Sequence, residues 1–80
     1  PQARPTVLFD LALAEAMNGN VGPAIAAAAR GLQVLHAERS RVGAGMASAY
    51  FDAAAIAAQA GARDSAFSWL ATAGRMQVQY

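Results

Sequence analysis

The side chains that could do chemistry are few and scattered. The only histidine, His36, stands just before Glu38, Arg39 and Arg41. A zinc site or an acid–base pair would need a second ligand or partner at matching spacing, and the chain has no second histidine, no cysteine and no HExxH pattern. His36 is therefore read as a solvated histidine near a turn. Asp10, Glu15 and Asp52 could be imagined as paired carboxylates, but Asp10 and Asp52 stand at matching places in two similar segments, so a structural or solvated role is expected. Ser40, Ser48, Ser65 and Ser68 have no adjacent base and no GxSxG elbow. The glycines of "RVGAG" are followed by no lysine and no GK[ST], so they form no phosphate loop. A catalytic function has no residues to rest on, and neither enzyme activity nor a metal or other cofactor is expected.

Composition narrows the remaining classes. The chain is 80 residues long, enough for one domain covering 1–80, and one of this size hides only about 60–65% of its unfolded surface. Only 14% of residues are charged, against roughly 25% in ordinary soluble domains, while 56% are hydrophobic. Apolar surface should therefore remain uncovered, which implies a partner, self-association or missing adjacent repeats. The net charge is +1, and Arg30, Arg39, Arg41, Arg63 and Arg75 are spread out with no aromatic interleaving. That pattern offers no electrostatic footprint for nucleic acid. Basic residues that are all arginine, in an alanine-rich background, suggest a GC-rich bacterial source. The longest apolar stretch is interrupted by Asp52 and Gln59, so no membrane span is expected. "PQARPT" carries no signal-peptide pattern and reads as the start of a fragment, with a cytoplasmic location as the default.

Prolines occur only at positions 1, 5 and 23, and β-branched residues are scarce, so the fold is expected to be all-α with four helices. Pro5 introduces the first, over Thr6 to Asn18. Asn18-Gly19-Asn20 ends it, and Asn20 caps a second with Pro23 in its first turn, running to Ala37. After "ERSRVGAG" a third firms up over Met46 to Ala60. "AGARD" turns the chain, with Asp64 or a neighbour as cap, into a fourth helix over Ser65 to Met76.

"FDLALAEAMNGN" and "FDAAAIAAQAGA" are similar segments at an offset of 42, which aligns Phe9 with Phe51, Asp10 with Asp52, Ala12 with Ala54, Ala16 with Ala58, Gly19 with Gly61, Ala24 with Ala66 and Ala29 with Ala71. The glycine falls in each helix-to-helix turn. This arrangement resembles the tetratricopeptide repeat, in its longer form found in helical regions of bacterial transcription regulators. The family's small packing places are filled by Ala12, Ala24 and Gly31 in one copy and by Ala54, Ala66 and Ala73 in the other. Leu8 and Tyr50 take its large-residue place. Glu15 and Ala57 depart from it, and no proline closes either copy.

The resemblance implies two antiparallel helical hairpins, over 6–39 and 44–77, stacked as a short right-handed solenoid. It also implies a non-catalytic module that binds a protein or peptide. Carried over, its groove positions are Thr6, Phe9, Leu13, Ala16 and Met17 on the first helix and Ser48, Phe51, Ala55, Ala58 and Gln59 on the third. Whether Phe9 and Phe51 face that groove or the core stays open. Two rival readings remain. "IAAQAGARDSAFSWL" is similar to a helix-turn-helix over residues 56–72, with Arg63, Asp64, Ser65, Ser68, Trp69 and Thr72 as the DNA-reading surface. A self-associating helical bundle is the other.

Overall fold

The computed structural model describes residues 4–38 and 44–78. Within them the fold is all-α: α1 (Pro5–Met17), α2 (Val21–Glu38), α3 (Ala44–Ala60) and α4 (Arg63–Val78). The segment 39–43, where the charged turn was expected, lies outside the described residues.

Two turns built alike set the architecture. At the end of α1, Gly19 takes φ +79°, a left-handed conformation that costs glycine little. Its N–H donates to the Ala16 carbonyl at 3.1 Å, and the next N–H, of Asn20, reaches the Glu15 carbonyl at 2.9 Å. These are the two bonds of a Schellman cap, and they satisfy carbonyls the helix leaves free. At the end of α3 the same bonds recur 42 residues on: Gly61 at φ +86°, its N–H on Ala58 at 3.1 Å, and Ala62 N–H on Ala57 at 2.9 Å. The following helices also start alike, with Ala24 N–H donating to Asn20 and Ala66 N–H to Ala62, both at 3.0 Å.

A Cβ at either turn glycine would meet nothing within 4 Å. The glycine is needed for its backbone conformation alone, so Gly19→Ala and Gly61→Ala are each expected to cost about 1–2 kcal/mol. Thermal melts should show each as a midpoint lower by roughly 5–15 °C.

Two details differ from the sequence reading. The Asn20 side-chain amide turns back to Glu15 Oε1 at 3.3 Å. The fourth helix begins at Arg63, with Ala62 just before it and Asp64 inside its first turn. The Schellman bonds make Ala62 both the end of one motif and the entry to the next helix, so Asp64 acts by facing the helix's positive end.

Each turn folds a pair of helices together, α1 on α2 and α3 on α4, and α3 then packs on both α1 and α2. The result is two hairpins stacked through α3. The Cα atoms span only 36 × 32 × 12 Å, a thin slab. Large side chains have little depth in which to disappear. The positions that reach 0% exposure are alanines: Ala12, Ala24 and Ala28 in the first hairpin, Ala53, Ala57 and Ala73 in the second. Leu32, Leu35, Met46 and Ile56 fill the gaps between them at 4–7% exposure.

Small residues let helix backbones approach closely, which explains why so much alanine is compatible with a core. Gly31 takes this furthest, because a Cβ there would stand 3.3 Å from Phe9 Cζ and 3.5 Å from Leu8 Cβ. A further tie joins the hairpins at their rim, where His36 Nε2 lies 2.8 Å from the Tyr50 hydroxyl and the rings meet edge to face.

Candidate functional site

The stack leaves one side of the second hairpin open. A groove of about 520 Å³ runs between α3 and α4. Phe51, Ala54, Ala55 and Ala58 line it from α3, and Arg63, Ala66, Phe67 and Leu70 from α4, with Gly61 at the turn between them. Phe67 is 64% exposed and Leu70 46%, high values for such large apolar side chains. Arg63 is the one charged residue of this lining, so the groove offers apolar contact far more than charge.

Helical periodicity places these residues together. On α3, Phe51, Ala55 and Ala58 recur at intervals of four and three, and on α4, Arg63, Phe67 and Leu70 do the same. Both stripes border the same furrow because Gly61 folds α4 back along α3.

The sequence-derived groove residues divide between three settings. Phe51, at 37% exposure, lines the open groove together with Ala55 and Ala58. Phe9, its counterpart in the first copy, is half-buried against the core with its ring over Gly31. Thr6, Leu13, Met17, Ser48 and Gln59 are exposed on α1 and α3 and lie outside the groove lining, while Ala16 is buried. The question left open for the two phenylalanines thus has a split answer. The α4 wall, with Phe67 and Leu70, was not singled out as a binding surface. A signal existed in the sequence: Leu70 is large where its counterpart Ala28 is small.

The other candidates fall elsewhere. His36 is exposed in the last turn of α2, held by Tyr50 and not free in a turn. Asp10 and Asp52 are exposed at equivalent places on α1 and α3. Among the described residues no group of three or more histidine, aspartate or glutamate side chains could hold a metal ion. Nor is any helix among them long and apolar enough to cross a membrane.

On the surface that a DNA-reading α4 would use, Trp69 is half-buried and packed on the core. Thr72 Oγ1 donates to the Ser68 carbonyl at 3.0 Å and accepts from Arg75 at 3.0 Å, so these polar groups bond to one another along the helix. Comparison with protein-family models, with curated proteins and with solved structures returned no match for this chain.

Proposed function

We propose that the chain is a non-catalytic protein-interaction module that receives an amphipathic helix of a partner in the groove between α3 and α4. The observation that carries this reading is the groove itself: an open furrow between two helices walled by Phe51, Phe67 and Leu70, all exposed, with a single charge in its lining. Such a surface suits a partner helix that inserts apolar anchors at intervals of three, four and seven residues. Aromatic and leucine side chains already standing in the groove supply contact area with few rotamers to freeze, which favours binding. The tetratricopeptide-like reading of the two hairpins points to the same kind of function. The DNA-reading alternative is less well supported, because Trp69 is engaged with the core and Arg63 is the only cation on the groove wall.

The test is a selection from a displayed library of helical peptides on the wild-type chain, with counter-selection on Phe67→Asp. Phe67 is mostly exposed, so the variant should keep its fold. The expected outcome is peptides with an apolar i, i+3/i+4, i+7 face whose affinity falls about 30-fold or more on Phe67→Asp and changes little with salt, as loss of about 2 kcal/mol would give. Enriched binders that ignore Phe67→Asp would defeat the reading. So would tight, strongly salt-dependent binding of duplex DNA weakened by Arg63→Ala.

A further inference from the structure

The molecule already contains one helix seated on a hairpin, and that seat can be compared position by position with the groove. α3 rests on α1 and α2 through Met46, Ala49, Ala53 and Ile56, spaced three, four and three apart and buried in one cluster with the small residues of the first hairpin. Within that first seat Ala16 is 5% exposed, and Ala24 and Ala28 are 0% exposed. Their counterparts 42 residues on are Ala58, exposed, Ala66, half-buried, and Leu70, 46% exposed. All three belong to the groove lining. The groove between α3 and α4 is therefore the second copy of the seat that α3 fills in the first, with no helix over it among the described residues.

The matching helix is also present, at the other end of the molecule. Shifting the α3 docking stripe back by 42 turns Met46, Ala49, Ala53 and Ile56 into Arg4, Val7, Leu11 and Ala14, so the α1 stripe opens on a charge where α3 has methionine and is apolar from there on. On α1 this stripe faces solvent, with Val7 56% and Leu11 52% exposed and Ala14 exposed as well. One end of the chain thus offers an empty seat, and the other offers the stripe that fills such a seat internally.

From these two observations we infer that the occupant of the groove is α1 of a second copy of this chain, so that copies stack head to tail and continue the hairpin stack across the interface. This deepens the proposed function and rests on its reading of the groove as a helix seat. The contact is heterologous: Val7 and Leu11 of one copy meet Phe67 and Leu70 of the next, and every assembly keeps one free seat at one end and one free stripe at the other. Assembly is then open-ended, growing by one copy at a time as repeats grow within a solenoid. The second seat is lined by larger side chains, Phe67 for Ile25 and Leu70 for Ala28, and Leu11 is larger than Ala53. The helix axes across the interface therefore stand further apart than those of α3 and the first hairpin.

The test is sedimentation of the full 80-residue chain across micromolar to millimolar concentrations, with Leu11→Asp at the stripe and Leu70→Asp at the seat. Far-UV circular dichroism and melts confirm the fold of each; should either fail to fold, Val7→Asp or Phe67→Asp takes its place. The expected result is a wild-type mass that keeps rising with concentration, and single variants about 100-fold weaker in association, hence monomeric in this range. The decisive arm is the mixture. Leu11→Asp retains an intact seat and Leu70→Asp an intact stripe, so equal amounts of the two should form a one-to-one dimer and nothing larger.

A wild-type chain that stays monomeric throughout would overturn head-to-tail stacking. A closed dimer abolished by Leu70→Asp and untouched by Leu11→Asp would overturn it too, since that pattern belongs to two grooves facing each other. In either case the peptide selection still judges the groove by itself. Peptides whose binding depends on Phe67 would keep the proposed function while stacking is lost, and failure of both experiments would remove the two together.

Discussion

Ala53→Asp is expected to remove about 3–5 kcal/mol of folding stability at neutral pH, a large share of what a chain of this length has. Ala53 is 0% exposed where α3 meets the first hairpin, and it belongs to the one cluster that joins the two hairpins. Among the described residues no buried side chain is polar or charged, so a carboxylate placed there finds no side-chain partner. An uncompensated buried charge costs about 3–5 kcal/mol, while a domain of this length has roughly 4–12 kcal/mol in total.

The sign with pH is also fixed. Burial raises the folded-state pKa of the introduced Asp above its unfolded value of about 3.9, so the folded state holds the proton more tightly. Stability relative to wild type is then restored as pH falls toward about 4 and lost as it rises. Urea melts of wild type and variant at several pH values check both the size and the direction. A deficit under about 1 kcal/mol at pH 7 would mean that α3 is not seated on the first hairpin as described.

The second large effect comes from exchanging residues between equivalent positions. Ala28 and Leu70 occupy the same place in the two hairpins, the first at 0% and the second at 46% exposure. Ala28→Leu forces three more carbons under α3 in a layer where backbones already approach closely. It is expected to cost about 2–3 kcal/mol or to push the two hairpins apart. Leu70→Ala removes a side chain that has not lost its contact with water and should change monomer stability by less than about 1 kcal/mol. Measured at low concentration, the pair therefore gives opposite magnitudes for opposite changes at equivalent sites. Equal effects would mean that the two seats are covered alike.

These two substitutions also mark where the sequence was legible. The turns could be read directly, because Gly19 and Gly61 must adopt a left-handed conformation and few other residues do so at low cost. The helices followed from the lack of interior proline, and the small packing places from alanine and glycine recurring at an offset of 42. The segment identities did not say which alanine is covered. Ala16 and Ala58 are identical in type and register, yet one is buried and the other lines a groove. The difference comes from α3, which lies over the first copy and has no counterpart over the second among the described residues.

Phe9 and Phe51 diverge for a local reason as well. The Phe9 ring lies so close to Gly31 that a Cβ there would stand 3.3 Å from Cζ, whereas the matching place to Gly31 in the second copy is Ala73, and Phe51 is 37% exposed. His36 shows the same limit, since nothing near it in sequence announces Tyr50, its partner across the hairpin boundary. Local conformation is written in residue type and spacing, while exposure depends on the order in which elements stack.

The measurement that tests the central claim most directly is the map of amide chemical-shift changes as the wild-type chain is concentrated. The account predicts two separate patches moving together, one on α1 around Val7, Leu11 and Ala14 and one across the groove around Ala58, Phe67 and Leu70, with the buried alanines of the first seat unmoved. Shifts confined to the α1 and α3 face that carries Thr6, Leu13, Ser48 and Gln59, with the groove silent, would contradict it.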